Sequence, residues 1–155
     1  MADIVCNYAY GRVAEFYNLI KSGTLPNAAF IVGLLETAEA DSLLSDYADL
    51  AAMLAGANTE AAFTGYDRIT VNAAALAALP APDNTNNRRD LYMPDAVWSN
   101  AGGVSNETLA KVFIGFDRDT TAGSDSDIVL THVFDFVATT NGEDLTARFS
   151  ADGFH

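Results

Sequence analysis

The stretch Ile128-Val129-Leu130-Thr131-His132-Val133-Phe134-Asp135-Phe136 decides the fold class. Ile128, Leu130, His132, Phe134 and Phe136 alternate with Val129, Thr131, Val133 and Asp135, and a period of two is the mark of a β-strand with one face packed. Downstream, Asn141-Gly142 is a turn signal leading into a further strand at Leu145-Thr146-Ala147-Arg148-Phe149. Upstream, the apolar run from Leu109 to Phe116 reads as a central strand. Arg89 to Met93 reads as a strand ended by Pro94, and Tyr66 to Val71 as one with Ile69 and Val71 on one face.

The period changes in the first third of the chain. Val13, Phe16, Tyr17 and Ile20 recur at helical spacing and Gly23 stops the run. A second helix is expected from Asp41, its N-cap, through Leu43, Tyr47, Leu50 and Leu54 to a stop at Gly56. Between the two helices, Ala29 to Leu35 reads as a buried strand. The Ala-rich segment from Asn72 suggests a helical turn, ended by Pro80 and Pro82 and followed by an Asn-rich loop. The expected fold is α+β and β-rich: an antiparallel sheet or β-sandwich with two helices in the N-terminal half. Residues 1–155 form one domain in this reading, the usual size for a single core.

Composition excludes several function classes. Half of the residues are hydrophobic, enough to bury roughly two-thirds of the unfolded surface. Eight Lys and Arg stand against twenty-one Asp and Glu, a formal charge of −13. A nucleic-acid ligand needs a basic surface that releases counterions, so no nucleic-acid partner is expected. No apolar run reaches the ~18 residues of a membrane span, and Met1-Ala2-Asp3-Ile4 lacks the basic start of a signal peptide. A cytoplasmic site of synthesis is therefore expected, with no membrane partner. Cys6, the one cysteine, allows no intrachain disulfide and reads as a small buried thiol.

Catalytic chemistry is thinly supplied. Nucleophilic catalysis needs a nucleophile, a base and an orienting group in contact. His132 is flanked by Thr131, which a strand turns to the opposite face, and the other histidine is His155. Asn100 to Asn106 is Gly-rich but lacks the Gly-Lys-Ser/Thr ending of a phosphate cradle. Trp98 and the six tyrosines are scattered, as core or interface residues are. No enzyme activity and no cofactor are expected.

Two stretches remain as candidate sites. Asp117, Asp119, Asp125 and Asp127 fall within eleven residues and are the carboxylates a calcium ion would use. The segment departs from the EF-hand pattern, with Ala122 for the turn glycine and Ile128 for the bidentate Glu, and it also reads as a solvated loop. Ile4, Val5, Tyr8 and Tyr10 precede the first helix and are interface candidates: an apolar arm lying on a neighbour, or a first strand of the chain's own sheet.

Several fragments taken together resemble a family. They are Ile31-Val32-Gly33-Leu34-Leu35-Glu36-Thr37, Ala57-Asn58-Thr59-Glu60, and Thr64-Gly65-Tyr66-Asp67-Arg68-Ile69-Thr70. Pro82-Asp83-Asn84-Thr85-Asn86-Asn87-Arg88-Arg89 and Pro94-Asp95-Ala96-Val97-Trp98 follow. Gly115 through Val129, Phe134-Asp135-Phe136 and Asn141 through Ala147 complete the set. In this order they resemble small virion structural proteins of tailed bacteriophages, over about Phe30 to Phe154. The resemblance implies a particle component without enzymatic activity. A capsid decoration (cement) protein is expected, binding the major capsid protein on the outer surface of the head and self-associating as a trimer or other homo-oligomer. Assembly would take place in the bacterial host cytoplasm. A tail, neck or fibre-base component is the alternative, and a cation-binding module a third. Charge favours the head, because −13 per subunit repels across a tight tail ring, within a screening distance of about 8–10 Å.

Overall fold

The computed structural model describes residues 4–78, 81, 83–86 and 91–149. In chain order these form β1 (Ile4–Val5), α1 (Val13–Lys21), β2 (Ala29–Thr37), α2 (Asp41–Leu44), α3 (Leu50–Ala55) and β3 (Thr59–Glu60). Then come β4 (Ile69–Val71), β5 (Ala96–Trp98), β6 (Thr108–Asp117), β7 (Ile128–Thr139) and β8 (Leu145–Ala147). The main sheet runs β1-β7-β6-β2, and β2 carries β3 and β4 at opposite ends of its far edge. Every pairing is antiparallel. The chain is α+β with more strand than helix, built on an antiparallel sheet. A two-stranded β5–β8 sheet is the only second sheet among the described residues.

β2 and β6 are apolar on both faces because both faces are covered. On one side, Phe30, Val32, Leu34, Val112, Ile114 and Phe116 pack with α1 and with Trp98 and Ala147 of the small sheet. On the other, Ile31, Leu35 and Phe113 pack with Leu44, Leu50 and Met53 of α2 and α3 and with Cys6. Gly33 sits where the sheet leaves no room, since a Cβ there would overlap the Phe113 ring and crowd the Tyr66 hydroxyl.

The first helix follows its spacing. Val13, Phe16, Tyr17 and Ile20 are its buried residues. Gly23 (φ +71°) ends it in the left-handed region that glycine enters without strain.

The second helix differs from expectation. The run from Asp41 to Gly56 breaks into α2 and α3, and Asp41 is the first helical residue of α2 while Ala40 is the N-cap. Of the expected face Leu50 is buried, whereas Leu43 is exposed and Leu44 and Met53 are buried in its place. The break has a physical cause. Residues 48 and 49 turn their backbone to the edge of β7, where the Ala48 carbonyl accepts the Leu130 N–H and Asp49 bridges Val129. The Asp49 side chain then caps α3 by accepting the Ala52 N–H (2.8 Å).

The alternation in β7 is also interrupted. Gly115 pairs with Leu130 and Ile114 with His132, so Thr131 is an extra residue, a β-bulge. Ile128 and Leu130 join the Cys6 cluster, and beyond the bulge Val133 takes that face. Phe134 and Phe136 pack against the α1 cluster. The five residues Ile128, Leu130, His132, Phe134 and Phe136 therefore do not share one face.

Smaller differences occur at the ends. Of the strand expected from Arg89 to Met93, residues 89 and 90 lie outside the described residues. Leu91 and Met93 are buried without entering a strand, and the strand that forms nearby is β5. Asn141-Gly142 does turn the chain, but β8 pairs with β5 instead of β7. Asn72 opens a single turn, its side chain accepting the Ala74 and Ala75 N–H groups. Leu79, Pro80 and Pro82 lie outside the described residues.

Candidate functional site

Four features hold the polar and reactive groups, and each is settled by its local geometry. At His132, the ring is buried and stacks on Phe134, with centroids 5.5 Å apart. Its neighbour Thr131 donates its hydroxyl to the Ile114 carbonyl (2.9 Å), and Asp135 pairs with Lys111. The Thr131 hydroxyl is thus already donated to the main chain, and the Asp135 carboxylate already accepts from Lys111.

The acidic loop joins β6 to β7 and is shaped by its own carboxylates. Asp117 accepts the Asp119 N–H, and Asp119 accepts both the N–H and the hydroxyl of Thr121. The Thr121 hydroxyl bond and then its N–H hold the Asp119 carboxyl below the usual range. Asp127 accepts the Ser124 N–H (2.8 Å), closing a capping box over the short 3-10 turn Asp125–Asp127. Asp125 accepts from Nη1 and Nη2 of Arg68, and Glu60 accepts from Nε and the shared Nη2. The Arg68 hydrogen bonds depress Asp125, while those from Glu60 and Asp125 raise the guanidinium. The four carboxylates thus serve four separate structural roles. Among the described residues no three His, Cys, Asp or Glu side chains are grouped to hold a metal ion. An open groove of about 480 Å³ beside the loop mixes Leu25, Asn27 and Arg118 with Asp117, Asp119 and Asp127.

Sequence reasoning missed the Arg68 clamp, since Arg68 and Asp125 are 57 residues apart and nothing local marks the pair. It also missed Lys111, whose ammonium lies 2.7 Å from Asp41 and 2.5 Å from Asp135 with its side chain only 9% exposed. A signal existed there: a lysine inside the apolar run Leu109–Phe116 has to find a partner. Burial pulls this ammonium down, but the bonds and charges of Asp135 and Asp41 outweigh it and leave its pKa raised.

At the N-terminal edge the two readings separate by residue. Ile4 and Val5 form β1, paired with Val133 and His132 of β7, so they belong to the chain's own sheet. Cys6 continues the contact, donating its N–H to Thr131, and burial pushes its thiol up to about 12. Tyr8 and Tyr10 point away, 58% and 75% exposed. Of the four interface candidates, these two present free aromatic surface.

No family model, no curated protein and no solved structure matches the chain.

Proposed function

We propose that this chain is a non-enzymatic structural protein of a tailed-bacteriophage particle, and specifically a capsid decoration protein on the outer surface of the head. The observation that carries the reading is how the basic residues are used. Lys21 donates to the carbonyls of Ala73 and Leu76, Arg68 is clamped between Glu60 and Asp125, and Lys111 is buried between Asp41 and Asp135. Two of these cations are engaged by four carboxylates and the third by backbone carbonyls, so none of the three is offered to a partner by a chain of charge −13. A chain so charged repels packaged DNA and suits the solvent side of a shell.

Among the described residues, the polar clusters at Asp117–Asp127 and at Lys111 brace structure, which favours a scaffold over an enzyme. The resemblance of the fragments from Phe30 to Phe154 to small virion proteins points the same way, with the major capsid protein as partner. Gold-antibody labelling of intact virions, with copy number from gel densitometry, tests the placement. Dense label over the head at a copy number matching the capsomers is expected. Sparse label at the neck or tail overturns decoration and makes the tail component the working reading.

A further inference from the structure

We infer that Asn141-Gly142 is a deamidation site gated by the fold. The closed turn withholds it, opening releases it, and conversion to isoaspartate then keeps the turn from closing again. This concerns the chain itself and holds wherever the protein sits. Asn141 is the one asparagine in the sequence that is followed by glycine. Asparagine is chemically labile, and glycine adds no side chain to crowd the nitrogen that follows it.

The chemistry is intramolecular and needs only water and hydroxide. Once hydroxide has taken its proton, the Gly142 nitrogen attacks Cγ of Asn141. A C–N bond forms, the Cγ–Nδ2 bond breaks, and Nδ2 leaves as ammonia with a proton from water, which restores hydroxide. Water then opens the cyclic imide at either carbonyl. Opening at Cγ gives aspartate. Opening at the main-chain carbonyl carbon gives isoaspartate, in which the chain runs through Cβ and Cγ.

The folded turn engages both reacting groups. Gly142 donates its N–H to the Ala101 carbonyl at 2.7 Å, so the nitrogen that must lose its proton is held by an acceptor. Asn141 Oδ1 accepts the Glu143 N–H (3.0 Å), and Nδ2 donates to Glu143 Oε2 (3.3 Å). The amide is thereby tied to the residue beyond its attacker.

The turn is in turn stitched to the loop before β6. Ala101 donates its N–H to the Glu143 carbonyl, and Asn100 donates its N–H to Asp144. The loops lie so close that a Cβ on Gly142 would meet Gly103 Cα at 3.2 Å. β8 follows directly, with Leu145 opposite Trp98. Asn141 itself is exposed, so water and hydroxide reach it as soon as these bonds part. Isoaspartate lengthens the main chain between 141 and 142, so Gly142 and Glu143 no longer both meet Ala101. Aspartate keeps the main chain and an oxygen for the Glu143 N–H.

Peptide mapping by mass spectrometry tests this on the full chain, held at mildly alkaline pH with and without denaturing urea. A synthetic peptide of residues 138–145 in both solutions corrects for the solvent. The fragment holding Asn141 is expected to convert from amide to acid roughly tenfold or more faster in urea than in the folded chain. The mass gain separates it from Asp152-Gly153, which forms the same imide without changing mass. Returned to native buffer, the isoaspartate form should exchange its amides over 142–147 faster than wild type, whereas Asn141→Asp should match wild type. Equal corrected rates in the two solutions overturn the inference. So does an isoaspartate form whose amides exchange like those of Asn141→Asp.

Discussion

The two faces of the central sheet are covered by different means. The α1 face is closed by one continuous helix together with the β5–β8 sheet, and stacked and tilted rings lie at its centre: Phe16 stacks on Phe116 at 4.4 Å, with Phe30 and Tyr17 beside them. The opposite face is closed by two short helices and held by polar pegs. Asn58 ties Glu39 to the Met53 carbonyl, Tyr47 donates to Glu39, and Lys111 ties α2 to β7. An apolar face gains stability from area and fit, whereas a pegged face gains position from a few directional bonds. The first should therefore respond to lost volume and the second to lost partners.

Removal of the Phe116 ring is the most severe way to test this. The side chain is buried against Phe16 and Phe30, so Phe116→Ala should lower stability by about 3–5 kcal/mol through lost burial and a cavity. The shift of the urea midpoint measures it. On the opposite face, Asn58→Ala removes two donated bonds and the acceptor of the Glu39 N–H, at a cost of about 2–3 kcal/mol. If Asn58→Ala costs more than Phe116→Ala, the contrast between the faces is broken.

Lys111→Met sharpens the comparison, since it nearly keeps volume and deletes a partner. Asp41 and Asp135 would be left as neighbouring like charges, but they are 39% and 34% exposed, so the cost should be about 1–2 kcal/mol, below that of a fully buried pair. The sign with pH is distinctive. The folded pKa of Lys111 is raised, so its contribution is complete below the unfolded value near ~10.4 and is lost as pH rises through the folded value. The stability gap between wild type and Lys111→Met should accordingly narrow at strongly alkaline pH, as read by urea titration.

The same contrast explains what was legible in the sequence. The α1 face was readable because its information is periodic: Val13, Phe16, Tyr17 and Ile20 announce a helix whatever they pack against. The strands β2, β6 and β7 were readable from apolar runs and alternation. The opposite face was misread because its geometry is set by distant partners. Residues 41–56 have a helical pattern, yet the backbone at Ala48 and Asp49 is captured by β7, about 80 positions later in the chain. The Thr131 bulge is equally silent locally, because only the register against β6 shows that a residue is extra. In the candidate sites, residue type was visible and engagement was not. Four aspartates in a loop advertise a cation, while the Thr121, Ser124 and Arg68 contacts that occupy three of them emerge only on folding.

The smallest expected effect concerns the Arg68–Asp125 clamp, which joins the acidic loop to the β4 side of the sheet. Arg68 holds the Asp125 carboxyl below its ordinary value, so the pair contributes stability above the unfolded value near ~3.9 and loses it as pH falls through the folded value. Both side chains are partly open to solvent, at 27% and 35%, so the contribution should stay below about 1 kcal/mol and shrink in high salt. Asp125→Asn should therefore lower the melting temperature slightly at pH 7, and by less at a pH below the folded value of Asp125, where the wild-type carboxyl is itself protonated. A deficit of equal size at both pH values would mean that the loop depends on the shape of Asp125 and not on its charge. The clamp would then belong with the volume-limited α1 face instead of with the pegs.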